Sequence, residues 1–170
     1  MNNMSLVIGN LCSFLAMVTD SIGSAQKTAK RVLIFQSISQ AIYCIGTIIL
    51  KGYSGAVQNA VSVLRNIVAI KEVENKTLEW AFVISGVVLG VCFNNMGLMG
   101  YLPIVANLQY TLAIFRFQNN ERALKKSFLV SIIMFTVFNI AIYNIVGVAS
   151  NLVVLITTAA FLLKPNKAQQ

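Results

Sequence analysis

"AIYCIGTIILKGYSGAVQN", residues 41–59, reads as the end of one apolar helix, a short break around Lys51 and Gly52, and a second helix opening on a Gly-x-x-x-Asn pattern. The stretch "IMFTVFNIAIYNIVGVASN", residues 133–151, reads the same way. At a constant offset of 92 residues, Gly55 falls on Gly147 and Asn59 on Asn151. Self-similarity at a fixed spacing is the mark of a duplicated unit, so the chain is expected to contain one helical unit twice.

The surrounding composition says what medium these helices occupy. Of the 170 residues, 57% are hydrophobic and only 11% charged, with a mean hydropathy of +0.76. A water-soluble domain of this size could not bury that much apolar surface. Seven apolar spans follow, at 4–20, 32–50, 54–70, 78–93, 98–117, 127–146 and 147–163. Each approaches the ~17–25 residues that cross a bilayer as a helix. The runs lack the two-residue alternation of a membrane barrel, so an all-α membrane protein is the fold class. The first span has no basic leader and no small-residue cleavage site, and reads as a permanent helix.

Basic residues orient the spans. Lys27, Lys30, Arg31, Lys71, Lys76, Arg116, Arg122, Lys125, Lys126, Lys164 and Lys167 fall on alternate connections and the tail. The opposite side has only Lys51, which by the positive-inside rule puts the N-terminus outside and the C-terminus in the cytoplasm. Spans 1–3 and 5–7 then run in the same direction. The expected organisation is 3+1+3: a first three-helix repeat over 1–77, a linker helix within 78–97, and a second repeat with a short cytoplasmic tail over 98–170. Parallel repeats of this kind place a substrate near mid-membrane at the repeat interface.

Much chemistry is excluded. There is no histidine, and Cys12, Cys44 and Cys92 lie inside apolar spans without ligand spacing, so neither a metal site nor a disulfide framework is expected. The acids Asp20, Glu72, Glu74, Glu79 and Glu121 lie at or beyond helix ends and supply no buried pair for acid–base work. No phosphate-loop motif accompanies "GYSG" or "GLMG". The expectation is no enzyme, no cofactor and, despite a net charge of +8, no nucleic-acid partner, because topology and anionic lipid account for the charge.

Polar side chains recur at helical spacing within the spans: Asn10, Ser13 and Asp20; Gln36, Gln40, Tyr43 and Thr47; Asn59, Ser62 and Asn66; Thr136, Asn139 and Tyr143. Span 4 has little beyond Ser85 and the pair Gly86 and Gly90, which reads as a close helix contact. Each stripe has two open readings, hydrogen-bonded helix packing or the lining of a central path. Arg65 likewise has two. It lies about 7.5 Å from the end of its span at ~1.5 Å per residue. It could snorkel to the headgroups, or face inward and hold a carboxylate or phosphate through its fork of donors.

The segment "GAVQNAVSVLRNIVAI", with "LPIVANLQYTLAIF", a basic loop and "FNIAIYNIVGVASN" further on, resembles the YgjV-type family of bacterial inner-membrane proteins over nearly the whole chain. More distantly, the layout is similar to the SWEET and PQ-loop transporter superfamily, with its PnuC-type vitamin-transporting relatives. The resemblance implies two three-helix bundles rocking about a central path, a multi-pass bacterial inner-membrane location and self-association into homo-oligomers. Helix-bending prolines are represented in the spans only by Pro103; the matching stretch of span 1, "GNLCSF", has none. The expected function is facilitated (uniporter) passage of a small polar metabolite such as a sugar, sugar acid or vitamin. The candidate substrate-binding residues are Asn59, Asn151, Gln40, Tyr43, Ser62, Arg65, Asn66, Asn139 and Tyr143, with Pro103, Gly55 and Gly147 as hinges. The alternative is a scaffold or sensor that transports nothing.

Overall fold

A computed structural model describes residues 3–24, 29–71, 75–117 and 121–163. Lys27, Glu72, Glu74, Lys164, Lys167 and the expected cytoplasmic tail lie outside the described residues. The described chain is helical throughout: α1 (Asn3–Ser24), α2 (Ala29–Ile49), α3 (Tyr53–Ile70), α4 (Lys76–Cys92), α5 (Tyr101–Arg116), α6 (Glu121–Ala141) and α7 (Ile145–Leu163). A 3-10 turn, Gly97–Gly100, leads into α5.

Among the described residues, three segments, Asn3–Gly23, Gly97–Arg116 and Arg122–Ala141, are long and apolar enough to cross a membrane, and Leu33–Ile49 and Ile145–Ala160 are shorter apolar helices. Large apolar side chains such as Leu11, Ile45, Leu64, Ile84, Ile133 and Ile156 are exposed on the outside. Among the described residues, more polar or charged side chains than apolar ones are buried. This inverts the pattern of a water-soluble protein and suits a lipid surround, where the outside gains nothing from polarity.

Packing follows chain order, α1 on α2, α2 on α3, α5 on α6 and α6 on α7, with α3 against α5 and α1 against α7 closing a ring of six helices. Helix α4 packs in the groove between α3 and α5. The α2–α3, α4–α5 and α6–α7 connections share one end of the ring, here called the break end. The other carries Lys30, Arg31, Lys71, Lys76, Arg116 and Lys126 and is the basic end.

The two breaks share one backbone pattern, bond for bond. Lys51 (φ 60°) and Tyr143 (φ 59°) are both left-handed. Gly52 N–H donates to the Thr47 carbonyl at 2.9 Å, and Asn144 N–H to that of Asn139 at 2.9 Å. Lys51 N–H donates to Ile48 and Tyr143 N–H to Ile140, while Ala56 reaches back to Gly52 as Val148 does to Asn144. Each is the turn by which a left-handed residue ends a helix and satisfies its last carbonyls.

Several expected boundaries change for this reason. Helix α6 ends at Ala141 and α7 begins at Ile145, whereas the glycine placed the sequence boundary at 146/147. Gly55 and Gly147 lie in the first turns of their helices, where a side chain would meet a close neighbour. A Cβ at Gly55 would strike the Phe138 ring, and one at Gly147 would meet the side chain of Asn144. Pro103 likewise sits near a helix start. It occupies the first turn of α5, where a missing N–H costs nothing.

At the break end the ring is filled by Leu50, Phe138 and Ile142, all at most 2% exposed, with Leu6, Met96 and Leu102 around them. Leu50 and Ile142 are repeat equivalents. Two asparagines clamp the breaks from the opposite half. Asn95 Nδ2 donates to the Lys51 carbonyl at 2.6 Å, and its Oδ1 accepts from Tyr53 N–H at 3.2 Å. Asn10 Nδ2 donates to the Tyr143 carbonyl at 3.2 Å, and its Oδ1 accepts from Val146 N–H at 3.0 Å.

Candidate functional site

Below this apolar plug the interior turns polar, because α3 aims amides and one cation inward. Gly55, Asn59, Ser62 and Asn66 form a stripe at spacings of four, three and four. Gly55 meets α6. Ser62 Oγ donates to Asn107 Oδ1 of α5 at 2.9 Å, and Asn66 Nδ2 donates to Gln40 Oε1 of α2 at 3.2 Å. Contacts to three different helices identify this stripe as the one facing the ring's interior.

Arg65 does not snorkel. It is 1% exposed, and its Nη1 donates to Asn107 Oδ1 at 2.9 Å and Thr111 Oγ1 at 3.0 Å. Its Nε and Nη2 share Asn66 Oδ1 at 3.4 and 3.3 Å, and the guanidinium lies 5.4 Å from the Tyr110 ring centre. Inward burial prevails because neutral oxygens and an aromatic face replace the headgroup water it would otherwise seek. The network continues outward from α5: Asn107 Nδ2 donates to Gln58 Oε1 at 2.8 Å, and Gln58 Nε2 to the Gly86 carbonyl of α4 at 2.7 Å. The helix without a polar stripe thus joins through its backbone, exposed to Gln58 by the absence of a side chain at Gly86.

Asn59 and Asn151 differ from these amides. Each lies eight residues past its left-handed break, about 12 Å down its helix at ~1.5 Å per residue. Both are half-buried, and neither side chain makes a hydrogen bond among the described residues; Asn151 Nδ2 is buried without an acceptor. Beside Asn151, Ser150 Oγ pairs with Tyr43 Oη of α2 at 3.2 Å across the ring.

The remaining candidates separate. Gln40, Tyr43, Ser62, Arg65 and Asn66 converge on the interior. Asn139 serves the α6–α7 break, accepting from Asn144 Nδ2 at 3.3 Å. Tyr143 is 68% exposed; α6 stops before it, so the helical spacing that put it on an inner face does not apply. Sequence reasoning missed Gln58, Asn107 and Thr111. The last two are four residues apart in span 5, the same spacing signal read in the other spans. A narrow crevice between α3, α4 and α5 has Gln58, Gly86, Asn107 and Thr111 in its wall. Asn59, Asn151 and Gln40 do not line it.

A ring of apolar-faced helices around a polar interior defines an integral membrane protein of the all-α class. The chain belongs to the Imp-YgjV family of bacterial inner membrane proteins, whose model matches residues 7–169. Its location is therefore the bacterial inner membrane. No curated protein and no solved structure matches the chain.

Proposed function

We propose that this protein is a facilitative transporter for a small polar metabolite, its ligand lying between Asn59 and Asn151. The observation that carries this reading is the pair itself: two amides at the 92-residue offset, both half-buried and without side-chain partners among the described residues, with Nδ2 of Asn151 fully buried. Buried polar groups in proteins are normally paired, so an orphan amide N–H is a place for a ligand oxygen. The ring supports the rest of the mechanism. Exchanging α1, α2 and α3 with α5, α6 and α7 turns the α3–α5 contact into α7–α1, as two parallel triplets about a central axis require. With the N-terminus outside, the break end faces the periplasm, the plug and clamps close that side, and rocking of the triplets opens it.

The runner-up is a non-transporting scaffold or sensor, favoured by the way Tyr43 with Ser150, and Gln40 with Asn66, satisfy one another. A thermal-shift screen of purified protein against sugars, sugar acids, vitamins and nucleosides separates the two, since saturation at 100 times Kd stabilises by about 2.7 kcal/mol. A stabilising ligand whose effect disappears in Asn59→Ala and Asn151→Ala, with apo stability unchanged, is the expected result. Equal loss of folded protein in these variants, or silence across the panel, favours the scaffold.

A further inference from the structure

The guanidinium of Arg65 is bonded unevenly. One side is anchored, with Nη1 at 2.9 and 3.0 Å from two separate oxygens of α5. The other side, the Nε–Nη2 fork, shares one amide oxygen of Asn66 at 3.4 and 3.3 Å, well beyond the ~2.9 Å typical of such bonds. That fork is the edge on which arginine takes two oxygens of a carboxylate or phosphate in parallel.

Among the described residues no carboxylate pairs with Arg65; Asp20 accepts from Ser39, and Glu79 lies 4.0 Å from Arg116. A cation buried with dipoles alone has lost its hydration without gaining a counter-charge, so a small anion reaching the fork would be strongly favoured. Asn66 holds that position with an oxygen that is neutral and poorly seated. Six residues separate Arg65 from Asn59, about 9 Å along α3 at ~1.5 Å per residue and about 120° round it, but the fork turns towards Asn66, which lies on the same interior stripe as Asn59.

We infer that the ligand of the central path is an anion, its carboxylate or phosphate displacing Asn66 Oδ1 from the Nε–Nη2 fork of Arg65 while its hydroxyl- or carbonyl-bearing body meets Asn59 and Asn151. This rests on the transport reading above and names its substrate class. Arg65 binds the charge, Asn107 and Thr111 hold Arg65 in place, and Asn66 occupies the fork until the ligand arrives.

The test uses matched probes on the full chain in detergent: glucuronate against glucose, gluconate against glucitol, and pantothenate against panthenol, with sulfate as a control. Stabilisation should come from the acids and not their neutral partners. Arg65→Lys, which keeps the charge and loses the fork, should weaken the active acid about tenfold or more. Asn66→Ala leaves the Nη1 anchors intact and should bind it at least as well as wild type. Neutral probes that stabilise equally, remain active in Arg65→Lys and fail in Asn59→Ala overturn the anion assignment and leave the central site standing. Loss of the acid in Asn66→Ala as complete as in Arg65→Lys also overturns it, as does an equal shift from sulfate. No shift from any probe, with folded wild-type protein, overturns this inference and the transport reading together.

Discussion

At the scale of single residues, the contact of α4 with its neighbours turns on what a methyl group would meet. At Gly90 it would run into Gln58 Nε2 and lie 2.7 Å from Ile104 Cγ1, so the α3–α4–α5 seam would have to open. At Gly86 the nearest atom is 3.5 Å away, an ordinary contact. Gly90→Ala should therefore destabilise by about 1–3 kcal/mol, the usual cost of overpacking. Gly86→Ala should be neutral or stabilising, since alanine gains up to about 1 kcal/mol over glycine within a helix. Unfolding in mixed micelles measures both, and equal effects would contradict the packing described. The Gly-x-x-x-Gly spacing marked a close contact in the sequence, but only the structure distinguishes the glycine that is filled from the one that is not. Arg65 teaches the same lesson. Its distance from the helix end allowed snorkelling or burial, and the outcome depended on Asn107 and Thr111, more than forty positions away in the chain.

At the scale of elements, the two breaks follow one design written in different residues. Lys51 and Tyr143 hold left-handed conformations that cost a residue with a Cβ roughly 1–2 kcal/mol relative to glycine. Lys51→Gly and Tyr143→Gly should each raise stability by about 0.5–1 kcal/mol, part of the relief being returned as unfolded-state entropy. Lys51→Val should lower it, because a β-branched side chain resists this region. Thermal unfolding checks all three, and insensitivity at both sites would mean that the left-handed turn is not what ends the helices. The likeness of the two breaks was legible in advance because Gly55 and Asn59 recur as Gly147 and Asn151. The exact break beside α7 was not legible, because Asn144 stands where the first break has Gly52, and Gly147 drew the boundary five residues past the end of α6.

At the scale of the whole molecule, Asn10 and Asn95 each reach from one half of the chain to the break in the other, beside the plug of Leu50, Phe138 and Ile142. Removing both amides should cost about 1 kcal/mol apiece and loosen the break end. In a cysteine-free background carrying Asn59→Cys, a membrane-impermeant thiol reagent applied to intact cells should label position 59 faster when Asn10→Ala and Asn95→Ala are present. Lys51→Cys, on the expected periplasmic side, should label readily with or without them. Unchanged labelling at 59 would show that the clamps do not keep this side closed, and protection of Lys51→Cys would reverse the orientation. The sequence alone determined the lipid environment, the helical class, the seven helices and the likeness of the two breaks, because composition and spacing are local properties that each segment carries wherever it packs. The tertiary structure alone decided which amides bond to one another, which remain free and where the cation points. These depend on oxygens contributed by helices distant in the chain, and a buried donor takes whichever partner the fold brings within about 3 Å.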